Sequence, residues 1–219
     1  MSKIANKFNF AKIIIMSITL FIILLTALTS IIAFNNSSIF NQLKFNAFMI
    51  YERKQWYRLF SYSLLHADWG HLFVNMFVLY SFGSLVEDLL PIFFGNKAKM
   101  IFIILYAGGV SISTLYSLFK HKHNHYYNAV GASGAVSAVL FSSIIMHPEG
   151  EIFFFFIPVP IPAYIFGLIY LAYSAYMAKR AKDNIGHDAH FWGAVFGIAY
   201  TIAIRPEFAN EFLNTVIGV

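Results

Sequence analysis

Cysteine is absent from the 219 residues, which excludes disulfides, thiolate metal sites and a cysteine nucleophile. Charge is scarce as well. Asp, Glu, Lys and Arg together make up 11% of the chain, against roughly 25% in a soluble globular domain. No internal repeat and no low-complexity tract interrupts it. What fills the chain is apolar: 59% of its residues are hydrophobic and 25 are Phe, more than a soluble core of this size can hide. The composition is that of an all-α, polytopic membrane protein whose solvent is the lipid bilayer. Its formal net charge of +5 belongs to loops between helices and gives no sign of a nucleic-acid partner.

Six apolar spans are expected in one membrane-embedded domain covering 1–219, over about 13–34, 64–90, 100–119, 131–146, 152–177 and 189–204. The first follows Lys3, Lys7 and Lys12 and holds 22 uncharged residues. That is too long for a signal-peptide core of about 7–15 residues and long enough to cross a bilayer, which takes about 20. Pro91 and Gly95 are expected to close the second span, and Pro158, Pro160 and Pro162 to make the fifth irregular. The tail after Arg205-Pro206 is amphipathic and is expected on the membrane surface. The lysine-rich leading tail places the N-terminus in the cytoplasm, although the total Lys/Arg count of the loops argues for the reverse sense. The plasma (inner) membrane is the expected location.

Gly131-Ala132-Ser133-Gly134 opens the fourth span, so Ser133 falls in a first helical turn. The backbone N–H groups there have no intrahelical partner and the macrodipole favours an anion. Alone, the motif reads as a small-residue packing device. Three other groups change the balance. His71 and Asn75 are spaced i, i+4 and share a helix face, where both can donate hydrogen bonds. His190 heads the sixth span, followed by Gly193 and Gly197, a small-xxx-small face. Packed on Gly131, Gly134, Ala135 and Ala138, that face would bring His190 to Ser133, where it could accept the hydroxyl proton.

Trp56-Tyr57-Arg58, His66, His71-x-x-x-Asn75, Gly83 with Glu87, Gly131-x-Ser133-Gly134 and Ala189-His190-x-x-Gly193-x-x-x-Gly197 occur together and in this order. In that set the chain resembles the rhomboid family of intramembrane serine proteases, from about Trp56 to Gly197. The resemblance implies a six-helix rhomboid-like bundle with a short central fourth helix, and a mobile fifth helix and loop gating access. It makes Ser133 the nucleophile and His190 the general base and acid. His71, Asn75 and the Ser133 backbone N–H become the oxyanion donors. Trp56, Arg58, His66, Glu87, Gly131, Gly134, Gly193 and Gly197 are structural support. One departure stands out: the position four after the serine, where the family often has an aromatic ring stacked on the catalytic imidazole, is Ser137.

The expected activity is hydrolysis of a peptide bond within or beside a transmembrane segment of another protein, by a Ser–His dyad facing the extracytoplasmic side. Asp188 belongs to the loop and is not a third member. Serine catalysis needs no cofactor, and no metal is expected. His121, His123 and His125 read as a solvated loop, and His187 carries no assigned role. Two alternatives come from other classes. One is an inactive rhomboid-like protein that binds transmembrane helices for trafficking or quality control. The other is a haem or metal protein using pairs among His66, His71 and His190.

Overall fold

The computed structural model describes residues 17–154, 157–180 and 186–218. Lys3, Lys7 and Lys12, the start of the first expected span, and Lys182 lie outside the described residues. In chain order the elements are α1 (Ile18–Phe34), α2 (Ser37–Leu43), β1 (Phe45–Asn46), α3 (Ala47–Tyr51), α4 (Arg58–Ser61), α5 (Trp69–Phe94), α6 (Ala98–Ile112) and α7 (Leu115–His121). Then come β2 (Asn128–Ala129), α8 (Ser133–Met146), β3 (Glu151–Phe154), β4 (Ile157–Pro162), α9 (Ala163–Arg180), α10 (His187–Ile204) and α11 (Glu207–Ile217). Helix dominates. The stretch Trp69–His121 is long and apolar enough to cross a membrane, while Ile18–Phe34 and Ser133–Met146 are apolar but shorter.

α8 is the axis of the bundle. Every residue from Gly134 to Met146 is buried, enclosed chiefly by α5, α6 and α10. A helix apolar all round has nowhere else to go. In lipid, helices gain little from excluding water and associate by close packing and interhelical hydrogen bonds. Both are visible here. A Cβ on Gly193 would run into the carbonyl oxygen of Gly134, and one on Gly197 into that of Ala138, so α10 lies backbone-to-backbone on α8. Gly109 brings α6 in likewise, where a Cβ would sit 2.9 Å from that of Ala138. Thr201 Oγ1 donates to Ser142 Oγ at 2.8 Å, linking α10 to α8.

Sequence chemistry also explains where elements start and stop. The N-terminus of α1 is capped from another helix: Glu87 of α5 accepts the N–H groups of Ile18 and Thr19, both at 2.8 Å. Two orphan donors meet a carboxylate at the positive end of the dipole. α5 passes through Pro91, which does not close it as expected, and stops at Gly95 with φ +51°. The third expected span breaks into α6 and α7. Ser111, Ser113 and Thr114 each turn a hydroxyl onto a preceding carbonyl there, a habit that bends helices. The fifth begins at Ala163 rather than 152. Pro158, Pro160 and Pro162 lack the N–H a helix requires, and the segment pairs instead as β4 against β3, Ile152 opposite Ile161. The tail forms α11 and docks on the bundle. Phe208 is fully buried, its ring edge-on to Phe93 at 4.9 Å, and Arg205 holds Glu211 at 2.7 Å.

Candidate active site

Three helices start at the same end of the bundle. Asp68 caps α5, its Oδ1 accepting the N–H of His71 at 2.8 Å, so His71 stands in the first turn of that helix. β1 pairs with β2, Asn46 opposite Asn128, and the Tyr62 carbonyl accepts Gly131 N–H at 3.1 Å. Between them these contacts fix the strand that leads into α8. Gly131 has φ +120°, and a Cβ there would sit 2.8 Å from His71 Cε1. Only glycine permits both that backbone and that neighbour. The His71 imidazole therefore lies against the loop two residues before Ser133.

Ser133 is the first residue of α8 and the only one in it that is not buried. Its hydroxyl is at the mouth of an otherwise enclosed helix. The first intrahelical bond is Val136 N–H to the Ala132 carbonyl, leaving the amides of Ser133, Gly134 and Ala135 without a helical acceptor. A Cβ on Gly134 would be 3.3 Å from the carbonyl oxygen of Ala189. The residue after Ser133 thus touches the residue before His190. His190 is half-buried in the first turn of α10, with the imidazoles of His71 and His187 and the Asp188 carboxylate in its electrostatic neighbourhood. Three positive helix ends consequently converge where the hydroxyl and imidazoles gather, and negative charge is favoured there.

The remaining expected residues sit behind this cluster. Asn75 is buried one turn below His71, and its Nδ2 donates to the His71 carbonyl at 3.0 Å, which uses one of its two amide protons. His66 is fully buried, linked to Ser30 of α1 through Nδ1 at 3.0 Å, with its ring edge-on to His71 at 4.9 Å. Arg58 is buried and staples the loop after α1. Its Nη1 donates to the carbonyls of Asn41 and Lys44 at 2.9 and 2.7 Å, and its Nε to Gln55 at 2.6 Å. Trp56 is half-exposed beside Lys54. A Cβ on Gly83 would press on Thr19 at 2.8 Å, so that glycine admits α1 to α5.

The histidine loop is exposed at His123 and His125, as expected of a solvated loop, and its rings also have partners. His121 stacks on Tyr127 at 3.7 Å and 6°, His125 on Phe48 at 3.5 Å, and His123 meets Glu52 at 3.3 Å. Ring partners on α3 and beside β2 hold the loop in place while His123 and His125 stay exposed. Among the described residues no group of three or more His, Asp or Glu is placed to hold a metal ion.

Residues 53–207 match the family model described as the Rhomboid domain. The chain belongs to the rhomboid family. It is similar to RHOMBOID-like protein 12, mitochondrial, of Arabidopsis thaliana, at 26% identity over 187 residues, covering 76% of this chain and 53% of that protein. The mouse presenilin-associated rhomboid-like protein, mitochondrial, is 31% identical over 144 residues, 62% of this chain and 34% of its own length. Rhomboid protein 1, mitochondrial, of Saccharomyces cerevisiae is 28% identical over 138 residues, 62% and 38% respectively. The chain thus spans about half the length of the plant relative and about a third of the mouse one. Like the rest of the rhomboid family it is membrane-integral. These relatives carry mitochondrial names, which lends nothing to the plasma membrane expected above.

The contacts of two groups around this rhomboid site escaped sequence reasoning. Asp188 lies in the first turn of α10 rather than in the loop expected, where Ser117 of α7 donates to its Oδ2 at 2.7 Å and Ala189 N–H to its Oδ1 at 3.0 Å. Tyr127 donates to the same Ser117 at 3.1 Å, tying the head of α10 to the histidine loop. The second is Tyr170 of α9, whose hydroxyl lies 2.7 Å from Ser137 Oγ. The spacing of Tyr170 and Tyr173 against His190 and His187 was the available signal, and it becomes legible only once α9 and α10 are known to run antiparallel.

Proposed function

We propose that this rhomboid-family chain is an intramembrane serine endopeptidase with six membrane spans, acting on transmembrane segments of other proteins. The observation that carries the reading is the contact of Gly134 with Ala189 and Gly193, which seats Ser133 and His190 at one end of two helices in direct contact. In this mechanism Ser133 Oγ attacks the scissile carbonyl carbon while His190 takes the hydroxyl proton. Negative charge then builds on the carbonyl oxygen, facing the Ser133 amide at the positive end of α8, with His71 and Asn75 as side-chain donors. Collapse of the tetrahedral intermediate breaks the C–N bond, and His190 returns the proton to the leaving amine. Water then repeats the sequence on the acyl-enzyme and frees Ser133. A substrate must expose backbone carbonyls, which favours segments whose helix is weakened by Gly.

The test is cleavage of a Gly-rich transmembrane substrate by the protein reconstituted in vesicles. Cleavage by the wild type and none by Ser133→Ala supports the reading; a folded wild type that leaves such substrates intact overturns it. An inactive transmembrane-helix-binding protein would be expected to lack Ser133 or His190, and both are present. Within the proposed machinery the two side-chain donors differ. His71→Ala is expected to lower kcat by about 10²-fold, as for loss of an oxyanion donor. Asn75→Ala is expected to cost less, because one of its two amide protons is already held by the His71 carbonyl. Equal losses in steady-state assays would contradict that ranking.

A further inference from the structure

A base that moves a proton in the transition state needs its ring held in one orientation, and Ser137 leaves α8 without an aromatic side chain one turn below Ser133. The ring comes from another helix. Tyr170 of α9 lies 6.3 Å from His190, centroid to centroid, with the planes 30° apart, within the offset-stacking range. Its hydroxyl is anchored to Ser137 Oγ at 2.7 Å. Phe141 of α8 and Phe166 of α9 flank it at 5.6 and 5.8 Å. One rung further, Tyr173 meets His187 edge-on at 5.6 Å, and His187 meets His190 at 5.9 Å. α9 therefore presents two tyrosines to two imidazoles of α10.

We propose that Tyr170, locked by Ser137, is a positioning residue for His190. The proposal rests on the endopeptidase reading above and adds a coupling to it. The small residue at 137 and the tyrosine at 170 are two halves of one device: the serine makes room for the ring and then bonds its hydroxyl. Because the ring rides on α9, a displacement of α9 from α8 breaks the Ser137 bond and frees the imidazole. Proton transfer is then efficient only while α9 is seated.

The experiment measures kcat and KM on the reconstituted protein, and in parallel the rate at which a small fluorophosphonate labels Ser133, which needs no substrate docking. Tyr170→Leu is expected to slow both kcat and labelling about tenfold, the weight of an aromatic pair, with KM and Tm near wild type. Tyr170→Phe keeps the ring and should recover most of that rate. Ser137→Ala and Tyr170→Phe remove the same hydrogen bond, so each should slow labelling a few-fold and the double variant no further. Tyr170→Leu at the wild-type rate overturns the proposal, as does a loss confined to KM. Should Tyr170→Leu not fold, the other two variants decide: equal and non-additive slowing supports it, wild-type rates in both overturn it. A folded wild type that neither cleaves nor labels would instead remove the endopeptidase reading itself.

Discussion

Replacing Ser133 by alanine is expected to abolish substrate cleavage while leaving the melting transition in place. The hydroxyl sits in the first turn of α8, partly open to solvent and free of any helix-capping bond, so removing it takes away no packing and no structural hydrogen bond of the helix. Stability should therefore change little, since surface substitutions away from special features stay within about 0.5 kcal/mol. The chemical effect is of another order. In serine hydrolases the nucleophile and its base act as one unit, and loss of either costs on the order of 10⁶-fold in kcat. His190→Ala should consequently match Ser133→Ala, and the double variant should be no slower than either. Losses that add across the two positions would mean the residues work independently. The measurement is turnover of a transmembrane substrate in vesicles, with thermal unfolding followed on the same samples.

The second large effect concerns the glycine face of α10. Gly197→Val would place a Cβ against the Ala138 carbonyl oxygen, 2.8 Å from its Cα and 2.9 Å from its carbonyl carbon. Gly193→Val would do the same at Gly134, 2.8 Å from its carbonyl carbon. What stands in the way is backbone of a helix buried from Gly134 to Met146, which cannot rotate aside as a side chain would. α10 must move off α8. Overpacking of this kind costs about 1–3 kcal/mol at each position, and the displacement reaches the site as well, where an error near 1 Å costs about 10²-fold in rate. Both variants should lose activity and several degrees in Tm together. Gly186→Ala is the contrast: its added Cβ would meet only Ala189 Cβ at 3.7 Å, and it should behave as wild type. Retention of wild-type Tm by Gly197→Val would mean the two helices are not in contact there.

What could be read from the sequence was whatever local chemistry determines. The composition places the chain in a membrane, and the GASG and AHxxGxxxG spacings predict two small-residue faces that would fit one another; α8 and α10 do meet, through Gly134 and Ala138, while Gly131 lies against His71 and Ala135 against Gly109 of α6. Element edges set by tertiary neighbours were not legible. The run 152–177 looks uniformly apolar, yet three prolines turn its first part into β4, and only pairing with Glu151–Phe154 satisfies that backbone. Glu87 reads as an acidic residue at the end of a span, whereas its bonds to the first two amides of α1 depend on a helix 68 residues away. The histidine loop is polar by composition but is held by the neighbouring Tyr127 and by Phe48 and Glu52, which are distant in sequence. Tyr170 is the sharpest case. The spacing of Tyr170 and Tyr173 is in the sequence, but their places beside His190 and His187 follow only from the antiparallel packing of α9 and α10.

The central claim is that the Ser133 hydroxyl is a nucleophile activated by His190. Its most direct test is exposure of the folded, vesicle-embedded protein to a fluorophosphonate, followed by mass-spectrometric mapping of the adduct. The account predicts one adduct on Ser133, its formation suppressed in His190→Ala and absent in Ser133→Ala. No adduct on folded wild type, an adduct on another serine, or labelling of Ser133 at an unchanged rate in His190→Ala would contradict it.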